Sequence, residues 1–140
     1  MTPEDAIPVA VEGRIKIPYR WPAGKIGTRF LAALRDERQI LGLRCESCNF
    51  THLPPIPVCT GCGRSMEEWV RVGPRGDLWG WTTRGRDLLG LVWVDGANTY
   101  MVHRILGAEA SALSHGIRVE VVFAETRTGA ITDILGFRPL

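Results

Sequence analysis

Four cysteines constrain this chain more than any other feature of its sequence. They form two Cys-x-x-Cys pairs in the stretch CESCNFTHLPPIPVCTGC, residues 45–62, and the chain has no other cysteine. Two thiolates separated by two residues reach one tetrahedral ion, and two such pairs complete a closed site. Asn49 and Gly63, which follow the pairs, are residue types that tolerate the left-handed backbone that turns amides towards the sulfurs. The spacing therefore predicts a structural metal site formed by Cys45, Cys48, Cys59 and Cys62.

Four cysteine ligands do not distinguish between zinc and iron. Four thiolates suit zinc but also hold iron, and zinc is the expectation because no other pattern indicates electron transfer. Two disulfides are the alternative, although structural disulfides are rare in a reducing cytoplasm. A thioredoxin-like redox site requires a βαβ pattern, which is missing. His52 lies between the pairs, and we predict a loop residue there, because four cysteines already complete the site.

Composition and charge narrow the class of protein. The 140 residues are 45% hydrophobic and 23% charged, which is typical of one globular domain with an appendage. A net charge of +2, from 17 basic and 15 acidic residues, is weak for a dedicated nucleic-acid binder. No apolar run approaches the roughly 20 residues that span a bilayer, and the first residues lack a secretory signal. We therefore expect a cytoplasmic protein with no membrane association.

The segment before the cysteines predicts an arm and a helix. Residues 1–26 carry prolines, lack evident periodicity and predict an extended arm with a short strand near residues 14–17. The stretch GTRFLAALRDERQ predicts a helix of about ten residues, with Thr28 as its N-cap. The apolar residues of the arm are too many for a solvated tail, so we expect it to order against a partner subunit; they are Ile7, Val9, Val11, Ile15, Ile17, Tyr19 and Trp21.

The segment after the cysteines predicts mainly strands. These are EEWVRVG, GDLWGWTT, LLGLVWV and NTYMVHRIL, then a helical AEASALSHG, then IRVEVVFAET and AITDILGFRP. Apolar and charged residues alternate in IRVEVVF, as in a half-buried strand, whereas LLGLVWV is apolar on both faces. Three strands, a short helix and two strands is the element order of an OB-fold. Another small antiparallel barrel is the alternative.

Together these pieces resemble a known family. FLAALRDERQILGLRCESC, the prolines between the pairs, CTGCG, GDLWGWTT, HGIRVEVVF and the closing GFRP are similar to the OB-fold, zinc-ribbon proteins associated with acyl-CoA metabolism, over about residues 27–139. The resemblance implies a mainly β chain, in which an N-terminal helix and rubredoxin-like zinc ribbon precede a five-stranded OB-fold barrel. It divides the chain into an arm at 1–26, the helix and ribbon at 27–70, and the barrel at 71–140. It also implies an accessory subunit that pairs with a thiolase-like protein in the condensation or cleavage of CoA thioesters.

Catalysis by this chain itself is not expected. Outside the predicted metal site there is no cysteine, and the four serines lie in no nucleophile motif. Four residues are candidate contacts for CoA or for the partner: Trp79 and Trp81, predicted to share a strand face, and Arg84 and Arg86, which flank them together with Arg75. The alternative function is single-stranded nucleic-acid binding, in which bases stack on such aromatic residues within a basic groove. The modest net charge disfavours it.

Overall fold

The computed structural model describes residues 9–140, which fold into one α-helix and two antiparallel sheets. The elements, in chain order, are α1 (Gly24–Glu37), β1 (Ile40–Cys45), β2 (Phe50–His52), β3 (Glu68–Val72), β4 (Arg75–Arg84), β5 (Asp87–Val94), β6 (Tyr100–Arg104), β7 (Ile117–Phe123) and β8 (Ile134–Pro139). Two short 3-10 turns lie at Ala110–Ala112 and Ile131–Asp133. None of the helices in this described range has the length and apolar character needed to cross a membrane.

Helix α1 is longer than predicted. It begins at Gly24 after Ala23, which makes no side-chain capping bond, so the prediction of Thr28 as N-cap is wrong. Its apolar side chains Phe30 and Leu34 are buried. The helix ends at Arg38, whose left-handed backbone (φ 53°) lets its N–H donate to the Ala33 carbonyl.

The arm forms neither a helix nor a strand over residues 9–22, so the strand predicted near residues 14–17 is wrong. Strand hydrogen bonds need a neighbouring strand, and the arm has none within the described chain. Its apolar side chains are open to solvent, from 67% exposed at Ile17 to 90% at Val11. Ile7, which the same prediction included, lies outside the described residues.

The two sheets confirm the predicted fold class. The first sheet has the order β2-β1-β3, and the second has the order β6-β5-β4-β7-β8. The second sheet curls, because Ile105 after β6 forms a parallel bridge to Phe137 in β8, and the N–H of Leu106 donates to the Phe137 carbonyl at 2.8 Å. These pairings are those of a five-stranded OB-fold. The predicted helix before β7 is reduced to the 3-10 turn, because so short a segment cannot offset the cost of helix nucleation.

One hydrophobic core joins the two sheets and the helix. Its buried members come from α1, from the first sheet and from the barrel, and include Phe30, Leu34, Ile40, Leu53, Val72, Leu78, Val92, Val119, Ile134 and Phe137. A smaller cluster of Leu43, Cys45, Cys59 and Met66 lies in the ribbon. The division at residues 70 and 71 stays a prediction, but a continuous core crosses it.

Strand β5 is covered on one face only. Of the strand that is apolar on both faces, Leu88, Val92 and Val94 are buried in the barrel. Leu91 points outward and is paired with exposed Val102 on β6. The uncovered apolar surface of β5 is therefore limited to its outer side.

A polar joint holds the first sheet against the barrel. Asn98 and Thr99, in the β5–β6 loop, bind the backbone of β2 and the residue after it. The Asn98 Oδ1 accepts from the Thr51 N–H at 2.8 Å, and the Asn98 N–H donates to the Thr51 carbonyl at 2.8 Å. The Thr99 Oγ1 accepts from the Leu53 N–H and donates to the Leu53 carbonyl, both at 2.7 Å. The open edge of β2 is thereby satisfied by the barrel loop.

Candidate functional site

Two tight turns present the four cysteines. In the first, the Asn49 N–H donates to the Cys45 carbonyl at 2.7 Å, and in the second the Gly63 N–H donates to the Cys59 carbonyl at 2.9 Å. Asn49 (φ 55°) and Gly63 (φ 71°) adopt the left-handed backbone that their residue types predicted. The two turns are thus built alike.

The turns bring all four sulfurs to one point. The Sγ atoms of Cys45, Cys48, Cys59 and Cys62 lie within 4.8 Å of one another, and those of Cys45 and Cys62 are 3.6 Å apart. A tetrahedral zinc ion with Zn–S distances of about 2.3 Å holds its sulfurs about 3.8 Å apart. All four cysteines are free thiols, two of them buried and two exposed. The cluster therefore fits one four-coordinate ion and contains no disulfide.

The electrostatics of the cluster also favour a cation. Hydrogen bonding to Cys62, together with desolvation and the other two sulfurs, raises the pKa of the Cys48 thiol to about 12. Crowded sulfurs hold their protons because adjacent thiolates repel one another. A divalent ion reverses this preference because it replaces the protons. A bound metal is therefore what best stabilises four sulfurs held this close together.

The surroundings of the sulfurs are polar and cross-linked. The guanidinium of Arg64, in the second turn, donates to the Ser47 hydroxyl in the first at 2.8 Å. His52 is no part of the sulfur group, but its predicted position in a loop is wrong. It lies in β2, is 2% exposed and packs against the Phe50 ring at 4.8 Å. Burial lowers the pKa of its imidazole.

The family comparison falls on this segment. Residues 32–67 match the family described as "ChsH2, rubredoxin-like zinc ribbon domain". This segment is therefore similar to a ChsH2-type zinc ribbon. Part of α1, strands β1 and β2 and all four cysteines lie within this range. A comparison with curated proteins found no match.

Two solved structures share the fold of most of this chain. One is a chain of the "Ltp2-ChsH2(DUF35) aldolase", with 21% identity, a TM-score of 0.62 and coverage of 85% of this chain and 98% of that chain. The other is a protein of unknown function from the DUF35 family of Sulfolobus solfataricus, with 14% identity, a TM-score of 0.61 and coverage of 83% and 84%. The predicted resemblance is confirmed in its ribbon and in its fold.

Beyond the ChsH2-type ribbon, the two predicted tryptophans do not share a face. A β-bulge shifts the pairing of β4 with β5 between Leu78 and Gly80, so that Trp81 is opposite Gly90. Gly90 faces the core, and residues directly opposite in antiparallel strands share a face. Trp81 accordingly packs against the core, whereas Trp79 is 45% exposed on the outer side. The prediction of one shared face is wrong because a bulge adds a residue and reverses the alternation.

Trp79 lies in an aromatic patch on the outer face of the barrel, which the sequence analysis did not predict. The centroid of the Trp79 ring lies 4.7 Å from that of the His115 ring, 5.6 Å from that of Tyr100 and 6.0 Å from that of Trp93. We call these four residues the aromatic patch. Trp93 and Tyr100 are paired across β5 and β6, and His115 precedes β7. One feature of the sequence does indicate this arrangement: a glycine inside a strand, such as Gly80, is typical of a β-bulge.

The three predicted arginines also lie apart. Arg84 and Arg86 are exposed at the tip of the β4–β5 hairpin, where Arg84 is opposite Asp87. Arg75 lies at the other end of β4 and binds Glu120 at 3.2 Å. The prediction that all three flank the tryptophans is therefore wrong. Within the described chain, Arg84 and Arg86 form no salt bridge, whereas Arg75 does.

Proposed function

We propose that this chain is a non-catalytic, zinc-binding subunit of a thiolase-like complex that cleaves or condenses CoA thioesters. The observation that supports this proposal most directly is the structural similarity, which covers 98% of a chain of the Ltp2–ChsH2 aldolase. The ribbon match to ChsH2 supports the same assignment from the sequence. The partner supplies the catalytic groups, and this subunit stabilises the partner's active site or gates access to it.

In this proposal the metal is structural. Cys45, Cys48, Cys59 and Cys62 bind one zinc ion, with iron as the alternative that elemental analysis separates. Four protein ligands leave no open position for water or substrate. The ion braces the ribbon, whose own cluster of buried residues is small. A thiolate site of this kind also fits a reducing compartment, so we propose a cytoplasmic location.

The outer face of the barrel provides surface for the partner. Trp79 in the aromatic patch and the Leu91–Val102 pair are apolar groups open to solvent. Aromatic residues are enriched in protein interfaces. Trp81 contributes indirectly, by packing beneath this strand. We assign partner contact to Trp79 and a supporting position to Trp81.

The hairpin tip is the proposed contact for acyl-CoA at the shared interface. Arg84 and Arg86 are both exposed, and guanidinium groups bind phosphate oxygens through paired hydrogen bonds. The hairpin projects them from one short turn, in which Gly85 has a left-handed backbone (φ 60°). Two adjacent cations suit a diphosphate group better than a single charge does.

Single-stranded nucleic-acid binding loses its main support. It requires neighbouring aromatic faces in a basic groove, whereas Trp79 and Trp81 lie on opposite faces of β4. Asp77 and Asp95 also bind Arg118 beside the aromatic patch, at 3.0 and 2.5 Å, which offsets the local positive charge. A gel shift at low salt tests this alternative, and single-strand binding at micromolar protein would favour it.

Co-expression with a thiolase-like protein from the same source tests the main proposal. We expect a complex that survives gel filtration and has activity on acyl-CoA esters that the separate subunits lack. The purified chain alone should show no thiolytic, hydratase or lyase turnover. Turnover by this chain alone, or a partner that is fully active without it, would contradict the proposal.

A further inference from the structure

The apolar residues of the arm occupy alternate positions. Val9, Val11, Ile15, Ile17, Tyr19 and Trp21 are all odd-numbered, while the charged residues Glu12, Arg14, Lys16 and Arg20 are all even-numbered. The prediction that the arm lacks periodicity is therefore wrong, because it has the period of two that places one face of a strand against apolar surface. The Tyr19 and Trp21 rings already stack on one side of the chain, with centroids 4.9 Å apart.

The proline within residues 9–21 and the two that border this run follow the same phase. Pro18, Pro8 and Pro22 are all even-numbered. In a strand, the N–H and C=O of alternate residues point to the same edge, so the odd residues from 9 to 21 offer an uninterrupted row of donors and acceptors on one edge. The prolines fall on the other edge, where an outermost strand needs no partner. One edge is thus suited to pairing and the opposite edge is blocked.

We propose that residues 9–21 are a donated edge strand that pairs with an open sheet edge of the partner subunit. The odd residues bond to that edge and lay their side chains on apolar partner surface. The even-numbered face carries three basic residues and one acidic residue. Acidic side chains of the partner beside its open edge would therefore complement this face. This inference rests on the proposed function for the identity of the partner. Strand addition of this kind gains affinity from the backbone and specificity from alternate side chains.

The sheet edges of this chain fit the arm poorly, which argues against a second copy as the acceptor. Strands β3, β6 and β8 lie at sheet edges and have five, five and six residues, against thirteen in residues 9–21. Strand β2 is shorter still, and the β5–β6 loop already binds it. A longer edge on another protein accommodates the whole alternating run.

Proline substitution in the full-length chain distinguishes the two edges. Gly13→Pro removes an N–H on the pairing edge without removing an apolar side chain, and Ala10→Pro removes one on the blocked edge. Gly13→Ala controls for the loss of glycine, and a β-carbon there meets no atom within 4 Å. Affinity is measured by titration with the thiolase-like protein. We expect Gly13→Pro to weaken binding about tenfold and Ala10→Pro to change it less than about twofold.

A second matched pair examines the side chains. Ile15→Ser with Ile17→Ser should weaken the complex by more than about tenfold, and Arg14→Ser with Lys16→Ser by less. Equal affinities for both members of each pair would overturn the inference while leaving the proposed function intact. Absence of any complex with the unsubstituted chain would overturn both. A dimer of the free chain that Gly13→Pro abolishes would assign the strand to a second copy, and also overturn it.

Discussion

Gly90 lies against the side chain of Ile105 so closely that an added β-carbon would be 2.5 Å from the Ile105 Cδ1 and 2.6 Å from the Leu78 Cδ1. Both neighbours belong to the core. The Ile105 side chain, which follows β6, fills the space that a side chain at position 90 would occupy. This explains why β5 contains a glycine although it is apolar along its length.

Gly90→Ala should therefore overpack the barrel. We expect the free energy of unfolding to fall by about 1–3 kcal/mol, as measured by urea denaturation. Gly80→Ala is the matched control, because a β-carbon at that position of the neighbouring strand meets no atom within 4 Å. Equal stability of the two variants would contradict the close approach.

Asn98→Ala should weaken the joint between ribbon and barrel. The substitution leaves the buried Thr51 N–H without an acceptor, and we expect a loss of about 1–3 kcal/mol in the free energy of unfolding. Asn98→Asp keeps an acceptor oxygen and should lose less. Thermal or urea unfolding compares the two, and identical losses would contradict the stabilising role of the acceptor oxygen.

Removal of one cysteine should unfold the ribbon locally. Structural zinc contributes roughly 10–16 kcal/mol in zinc-finger peptides, so Cys48→Ser should lower metal content, stability and soluble yield together. Ser47→Ala, at the neighbouring position, loses only the bond from Arg64 and should keep the metal. Elemental analysis of chain purified without chelator should give one equivalent, and less than about half an equivalent of zinc or iron would refute the metal centre.

The β7–β8 loop should respond to acid through Asp133. Desolvation alone would raise the pKa of this carboxyl, but the N–H groups of Thr128, Gly129 and Ala130 donate to it and lower the pKa below its usual range. Because the folded pKa is the lower one, the carboxylate stabilises the fold fully above about pH 4 and loses that effect as the pH falls through the folded pKa. Asp133→Asn should cost about 1–2 kcal/mol at neutral pH. The difference from the parent chain, followed by urea unfolding at several pH values, should shrink below about pH 4, and a constant difference would argue against the charge.

The hairpin tip should affect acyl-CoA affinity through charge. Replacing Arg84 and Arg86 together by Gln should weaken acyl-CoA binding by the complex about tenfold at low salt, and less at high salt, where exposed charges are screened. The corresponding Lys substitutions keep the charge and should retain part of the affinity. Isothermal titration with an acyl-CoA ester measures both, and an unchanged affinity in the Gln variant would remove CoA contact from this hairpin.

The parts of the fold that the sequence predicted well depend on local patterns. The spacing of the cysteines, the left-handed positions of Asn49 and Gly63 and the alternation in β7 are all properties of neighbouring residues. The bulge beside Trp79 and the hydrogen bonds from Asn98 to β2 depend on which segment lies opposite in the fold. A local sequence pattern does not specify that neighbour. The alternation in the arm is harder to predict for another reason, because prolines are typical of irregular segments and interrupt the run of apolar and charged residues.

The continuous core that joins α1, the ribbon and the barrel makes the cysteine-bearing half poorly suited to transplantation. A fragment ending near residue 70 would carry Phe30, Leu34 and Leu53 into water, because the barrel residues that cover them would be missing. A chimera that exchanged only the ribbon for a homologous one would have to match the packing of the recipient barrel as well as its metal ligands. The same contacts make the two halves inherit each other's constraints: a change of side-chain volume on one side of this core requires a compensating change on the other.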